Sequence, residues 1–203
     1  MIWIVALLFV LFFLRVPVAF ALGISSLVGL LMSGTDLILV AQKIFSGIDS
    51  FTLLAIPLFV LAGELMSAGG ISKRLVDFAA LLVGHLPAGL AMVAVLACTF
   101  FASISGTAIA DAAAIGGMLI PAMIAQGYDK RFASSLVASA STIGPIIPPS
   151  IPLILYGVIA SVSIGDLFMA GIVPGILMAG GLMLSTYYSG VKHRIKGRER
   201  MAS

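Results

Sequence analysis

Hydrophobic positions run through this chain in blocks, cut by short polar, glycine-rich or proline-rich interruptions, and each block reads as a helix. Residues 2–14 and 16–32 flank Arg15-Val16-Pro17, where a charge and a proline predict a turn between two short helices; a kink there would leave one long tilted helix. Residues 36–50 mix charged and apolar positions and read as an exposed connection containing a short helix. A span follows over 51–67, with Pro57 inside it and Glu64 near its end, and Ala68-Gly69-Gly70 closes it. Residues 71–85 differ, because Lys73, Arg74 and Asp77 alternate with Leu75, Val76, Phe78, Leu81 and Leu82 before Leu86-Pro87. So short and two-faced a segment predicts an amphipathic arm lying in a membrane interface.

Two later regions break the pattern of simple spans. Residues 87–127 carry one charge, Asp111, and two apolar stretches, 90–102 and 112–126, surround Ser103-Ile104-Ser105-Gly106-Thr107. Each stretch is shorter than the roughly 20 residues a crossing needs, so a re-entrant hairpin is expected. Residues 130–161 form a second anomaly: Gly144-Pro145-Ile146-Ile147-Pro148-Pro149-Ser150-Ile151-Pro152 interrupts a helix that starts over 130–143 and resumes over 153–161. Proline removes a backbone donor and disfavours helical geometry in the residue before it, so the helix must unwind. Residues 166–188 are the last span, with Gly171 and Gly175 spaced for close helix approach.

Composition fixes the environment. Hydrophobic residues make up 61% of the 203 residues and charged residues 9%, and the mean hydropathy is +1.23, which places the chain among integral membrane proteins. The first block has no basic segment before it and no small-residue cleavage site after it, and reads as a retained helix. Cys98 is the single cysteine, which leaves no disulfide framework or thiolate metal site. The net charge of +3 is concentrated in a tail, Lys192, Arg194, Lys196, Arg198 and Arg200, expected on the cytoplasmic side. With the tail inside, ten of the 11 basic residues fall on that side and Lys43 alone outside.

Broken backbone at membrane depth persists where protein or a polar cavity satisfies the freed groups, and discontinuous helices commonly build ion and substrate sites in transporters. Uncharged hydroxyl and carbonyl oxygens suit a hard monovalent cation. The candidate metal site therefore sets Ser103, Ser105, Gly106 and Thr107 against Ser141, Thr142, Gly144, Pro145 and Ile147. Small residues also pack helices, which accounts for Ala112, Ala113 and Ala114 but not for four prolines within eight residues. Asp111 could cap the second hairpin arm or help an ion or proton site, with capping ranked first, and Glu64 and Arg15 are expected to snorkel to an interface. His85 and His193 have no acid or nucleophile placed with them, no Walker loop is present, and an enzymatic reading has no catalytic pair to rest on.

Three blocks carry a family resemblance: Phe101-Ala102-Ser103-Ile104-Ser105-Gly106-Thr107-Ala108-Ile109-Ala110-Asp111, then Gly127-Tyr128-Asp129, then Ala140-Ser141-Thr142-Ile143-Gly144-Pro145-Ile146-Ile147-Pro148-Pro149-Ser150. With Arg15-Val16-Pro17-Val18-Ala19-Phe20, Ile56-Pro57-Leu58-Phe59 and Leu167-Phe168-Met169-Ala170-Gly171, the chain resembles the large membrane (permease, DctM-type) subunit of TRAP transporters.

The resemblance implies an all-α integral membrane fold, one repeat of an inverted-repeat elevator-type transporter with a re-entrant hairpin and a broken transmembrane helix. It implies scaffold-type helices over 1–70, an arm helix over 71–86, a transport-type region over 87–165, a last transmembrane helix over 166–191 and a basic tail over 192–203. The implied activity is sodium-coupled import of a small organic acid such as a C4-dicarboxylate or sialic acid, with Na+ as coupling ion and no other cofactor. The implied partners are a small four-helix (DctQ-type) membrane subunit and a periplasmic substrate-binding protein, in a bacterial or archaeal inner membrane. The family's large subunit resembles two inverted repeats, so the opposite hairpin and much of the substrate site are expected outside this sequence, and a membrane fragment with no transport of its own is the rival expectation.

Overall fold

The computed structural model describes residues 2–34, 36–49 and 51–192. The basic tail beyond Lys192, with His193, Arg194, Lys196, Arg198 and Arg200, lies outside the described residues. Among the described residues the regular structure is helical throughout, and the chain divides into two compact units, 1–51 and 52–203.

In the first unit α1 (Ile2–Phe13) and α2 (Val18–Met32) are separate helices. Arg15 adopts a left-handed φ of 61°, and the amides of Arg15 and Val16 close back onto Phe12 and Leu11. The Arg15-Val16-Pro17 segment is therefore a turn, not a kink. Ala21, Ser25 and Gly29 recur every fourth residue and form the buried face of α2. Gly29 meets the Ile4 side chain of α1 so closely that a Cβ would stand 2.7 Å from Ile4 Cδ1. Asp36 caps α3 (Leu37–Ile48) by accepting from the Ile38 amide.

The second unit is built around the hairpin. A 3₁₀ turn (Phe51–Leu54) leads into α4 (Ala55–Ala68), followed by α5 (Ile71–Val83), α6 (Gly89–Ser105), α7 (Ala108–Ala125), α8 (Lys130–Ser141), α9 (Ile151–Ala160) and α10 (Ile164–Lys192). Two of the described helices, α7 with 18 residues and α10 with 29, are long and apolar enough to cross a membrane. The hairpin arms α6 and α7 supply the centre of the core, where Val93, Val95, Phe101, Ile115 and Met123 are buried together with Val137 of α8. Helix α4, grouped with residues 1–70 from sequence, belongs to this unit and touches the end of α6 at Gly63.

Helix α5 folds back along α6. Leu75, Val76, Ala80 and Val83 pack on the core, and the Phe78 and Phe100 rings lie 5.7 Å apart. The amphipathic period of α5 is thus satisfied on one side by protein, which leaves Lys73, Arg74, Asp77, Leu81 and Leu82 exposed.

The hairpin break is shorter than the residue types suggest, and the proline-rich break is displaced by two residues. The polar run at 103–107 is helical through Ser105, because serine hydroxyls can bond back to carbonyls of their own helix, as Ser103 Oγ does to the Phe100 carbonyl at 2.7 Å. The chain reverses at two residues. Gly106 takes a left-handed φ of 61° that ends α6, and extended Thr107 starts α7. The proline-rich break runs over 142–150, with a cis bond between Pro148 and Pro149.

Candidate functional site

The tip of the hairpin and the break between α8 and α9 lie against each other. The amide of Ile151 donates to the Gly106 carbonyl at 3.4 Å, which ties the start of α9 to the hairpin reversal. Gly106 faces the break so tightly that a Cβ would stand 2.5 Å from the Pro149 carbonyl oxygen. Gly144 faces the other way: a Cβ there would run into Asp111 Oδ2 and stand 3.1 Å from the Thr107 carbonyl carbon. Only hydrogen at these two positions lets the two broken backbones meet.

The hydroxyls divide into two groups. Thr107 Oγ1 accepts from the Ala110 amide at 3.2 Å and caps α7, while Ser105 Oγ accepts from the Thr107 amide at 3.3 Å and lies in hydrogen-bonding contact with Asp111 Oδ1. Ser105, Gly106, Thr107 and Gly144 are therefore gathered around one point. Ser103 and Thr142 are not; both are exposed and return their hydroxyls to their own chain, Thr142 to the Ser139 carbonyl at 2.6 Å. Ser141 is buried against α6, donating to the Val137 carbonyl at 2.8 Å with Cys98 Sγ at 4.0 Å.

Pro145 and Ile147 belong to the far side of the break. The Pro145 carbonyl accepts from Ser150 Oγ, whose oxygen also caps α9 through the Leu153 amide at 3.3 Å. Ile147 packs on Gly175 of α10, and the Ile146 carbonyl abuts Gly171. The glycine pair read as a helix-packing motif thus receives the unwound segment of its own chain.

Asp111 does not take the capping role ranked first for it. Thr107 is the cap of α7, and Asp111 sits one turn further in, fully buried, with Oδ1 against Ser105 and Oδ2 without a hydrogen-bond partner. A buried carboxylate with a free oxygen is costly by several kcal/mol unless a cation balances it or it takes up a proton. Its first-turn position on α7 supplies only a fraction of that, about 0.3–1 kcal/mol from the helix dipole. The geometry thus offers one carboxyl oxygen, the Ser105 hydroxyl and nearby backbone at the contact of two broken helices, an arrangement suited to a small cation. Ser150 was also missed; its place two residues before Pro152, where a serine followed by proline starts a helix, was the available signal.

A family model described as "Tripartite ATP-independent periplasmic transporter, DctM component" matches residues 5–203. The chain belongs to the DctM family. Its DctM relatives include the 2,3-diketo-L-gulonate TRAP transporter large permease protein YiaN of Escherichia coli, 53% identical over 75% of this chain and 36% of the relative. The isethionate TRAP transporter permease protein DctMQ of Oleidesulfovibrio alaskensis is 47% identical over 91% of this chain and 29% of the relative. The sialic acid TRAP transporter large permease protein SiaM of Vibrio cholerae is 43% identical over 88% of this chain and 42% of the relative. The chain thus spans less than half the length of these DctM relatives.

Proposed function

We propose that this chain forms the hairpin-bearing repeat of the large permease subunit of a sodium-coupled TRAP importer of a small organic acid. The observation that carries the reading is Asp111, fully buried with Oδ2 unpaired where the hairpin tip meets Gly144 of the broken helix. In a membrane such a group calls for a pairing partner, and ionisable residues there commonly mark ion pathways. Sodium, held by Asp111, Ser105 and the backbone around Thr107 and Gly144, fits that need. Ser103, Ser141, Thr142, Pro145 and Ile147 have other partners and take no part in this site.

Coupling is then a matter of linkage. A cation that joins tip to break stabilises the closed contact between the two segments, and inward movement of one charge gains about 2.3 kcal/mol per 100 mV. The named substrates of the relatives, isethionate, 2,3-diketo-L-gulonate and sialic acid, are all organic acids, which supports that class here. We place the subunit in the inner membrane with its C-terminal tail cytoplasmic. It works beside a small DctQ-type membrane subunit and a periplasmic binding protein, moving its hairpin region over 87–165 in an elevator cycle against scaffold helices within 1–51.

The experiment is uptake by the full-length permease, with its small subunit and binding protein, in proteoliposomes at graded sodium. Asp111→Asn, which keeps size and removes charge, should abolish sodium activation or raise the half-activating concentration more than tenfold while leaving membrane insertion intact. Unchanged sodium activation in this variant would refute the site.

A further inference from the structure

Beside the hairpin tip lies a cleft of about 440 Å³, with Val60, Glu64 and Ser67 of α4 on one side and Ser105, Thr107 and Ala113 on the other. The proposed ion position uses Ser105 and Thr107 but gives Glu64 and Ser67 no part. The two walls approach at Gly63, where a Cβ would stand 3.7 Å from Ser105 Cα and 3.8 Å from the Ile104 carbonyl oxygen, ordinary contact. Helix α4 therefore touches the hairpin at its tip, and the cleft opens beside that contact. Glu64 is exposed and is the one charged side chain lining the cleft among the described residues.

Ser105 is shared between the open cleft and the buried carboxyl. It lines the cleft, and its hydroxyl meets Asp111 Oδ1, while Asp111 itself is fully buried. Ser105 thus stands between a cleft containing a carboxylate and Oδ1 of Asp111, whose unpartnered Oδ2 faces Gly144.

We propose that this cleft is the entry vestibule of the coupling cation, in which Glu64 concentrates the ion and the Ser105 hydroxyl passes it to Asp111. The inference rests on the sodium reading above. A carboxylate between low-dielectric walls focuses field into the cleft and raises the local concentration of cations. Because Glu64 is exposed, that attraction is screened by added salt, whereas direct ligation at Asp111 is screened far less.

The test uses the full-length permease with its partner subunits in proteoliposomes, with sodium activation measured at low ionic strength and again with added choline chloride. Glu64→Gln should raise half-activating sodium about three- to tenfold at low ionic strength with the maximal rate retained, and choline should shrink the difference. Glu64→Asp should restore the wild-type value. In a cysteine-free background, with Cys98→Ala, a cysteine introduced by Ala113→Cys should react with a cationic methanethiosulfonate, and its modification should slow sodium activation.

A Glu64→Gln variant with wild-type activation, a shift that persists in choline, or an Ala113→Cys variant that does not react would overturn the vestibule. Should Glu64→Gln fail to assemble, the Ala113→Cys labelling still decides. Failure of the underlying reading looks different: no sodium activation in the wild type, or none lost in Asp111→Asn. A strong Asp111→Asn effect beside a silent Glu64→Gln rejects the vestibule alone.

Discussion

Adding one methyl group at Gly106 tests whether the hairpin tip and the broken helix form a single unit. Gly106 and Gly127 both hold a positive φ, 61° and 87°, so alanine at either position incurs the left-handed penalty of about 1–2 kcal/mol. They differ in what surrounds them. A Cβ at Gly127 meets nothing within 4 Å, whereas at Gly106 it would stand 2.5 Å from the Pro149 oxygen and 3.5 Å from the Ile151 nitrogen. Those neighbours are backbone and cannot rotate aside, so relief requires moving the break, an overpacking cost of about 1–3 kcal/mol. Gly127→Ala should therefore lose about 1–2 kcal/mol and Gly106→Ala about 2–5 kcal/mol. Thermal unfolding of the purified full-length subunit in detergent, followed by tryptophan and tyrosine fluorescence with and without sodium, reads both effects. Sodium-dependent stabilisation should survive in Gly127→Ala and vanish in Gly106→Ala. Equal losses in the two variants, with sodium stabilisation intact in both, would show that the tip does not bear on the break.

Two further outcomes follow from individual hydroxyls. Ser105→Ala should raise half-activating sodium about tenfold, because a hydrogen bond to a charged group is lost, while Ser103→Ala should change it less than about twofold, since that hydroxyl is exposed and bonded to the Phe100 carbonyl; sodium-dependent uptake by the two variants makes the comparison. Ser150→Ala removes both the cap on α9 and the bond to the Pro145 carbonyl and should destabilise the subunit by about 1–3 kcal/mol in the same melting assay, with Ser150→Thr recovering part of the loss.

The breaks were legible because they are local. Prolines at 145, 148 and 149 crowd too closely for a continuous helix, Pro152 is tolerated in the first turn of α9, and the melted segment runs over 142–150. The hairpin was legible for a related reason, since two apolar stretches flank a glycine. Its arms came out longer than expected because Ser103 and Ser105 tolerate helix by bonding within it or near its end, a choice that residue type alone leaves open. Within the candidate site, sequence reasoning named two segments that the structure brings into contact, but it ranked helix capping above an ion or proton site for Asp111, and Thr107 fills the capping role through the Ala110 amide.

What the sequence by itself determined is the order and punctuation of the helices, the membrane environment and the family, because hydropathy, proline and glycine act within a few residues of where they stand. What only the tertiary structure decided is which groups share a site. Asp111 is buried by what packs over it, with Gly144 of the break against its free oxygen and Ser105 of the other arm against its partner oxygen. Burial and pairing of a polar group depend on contacts between distant segments, and no local pattern of residues records them.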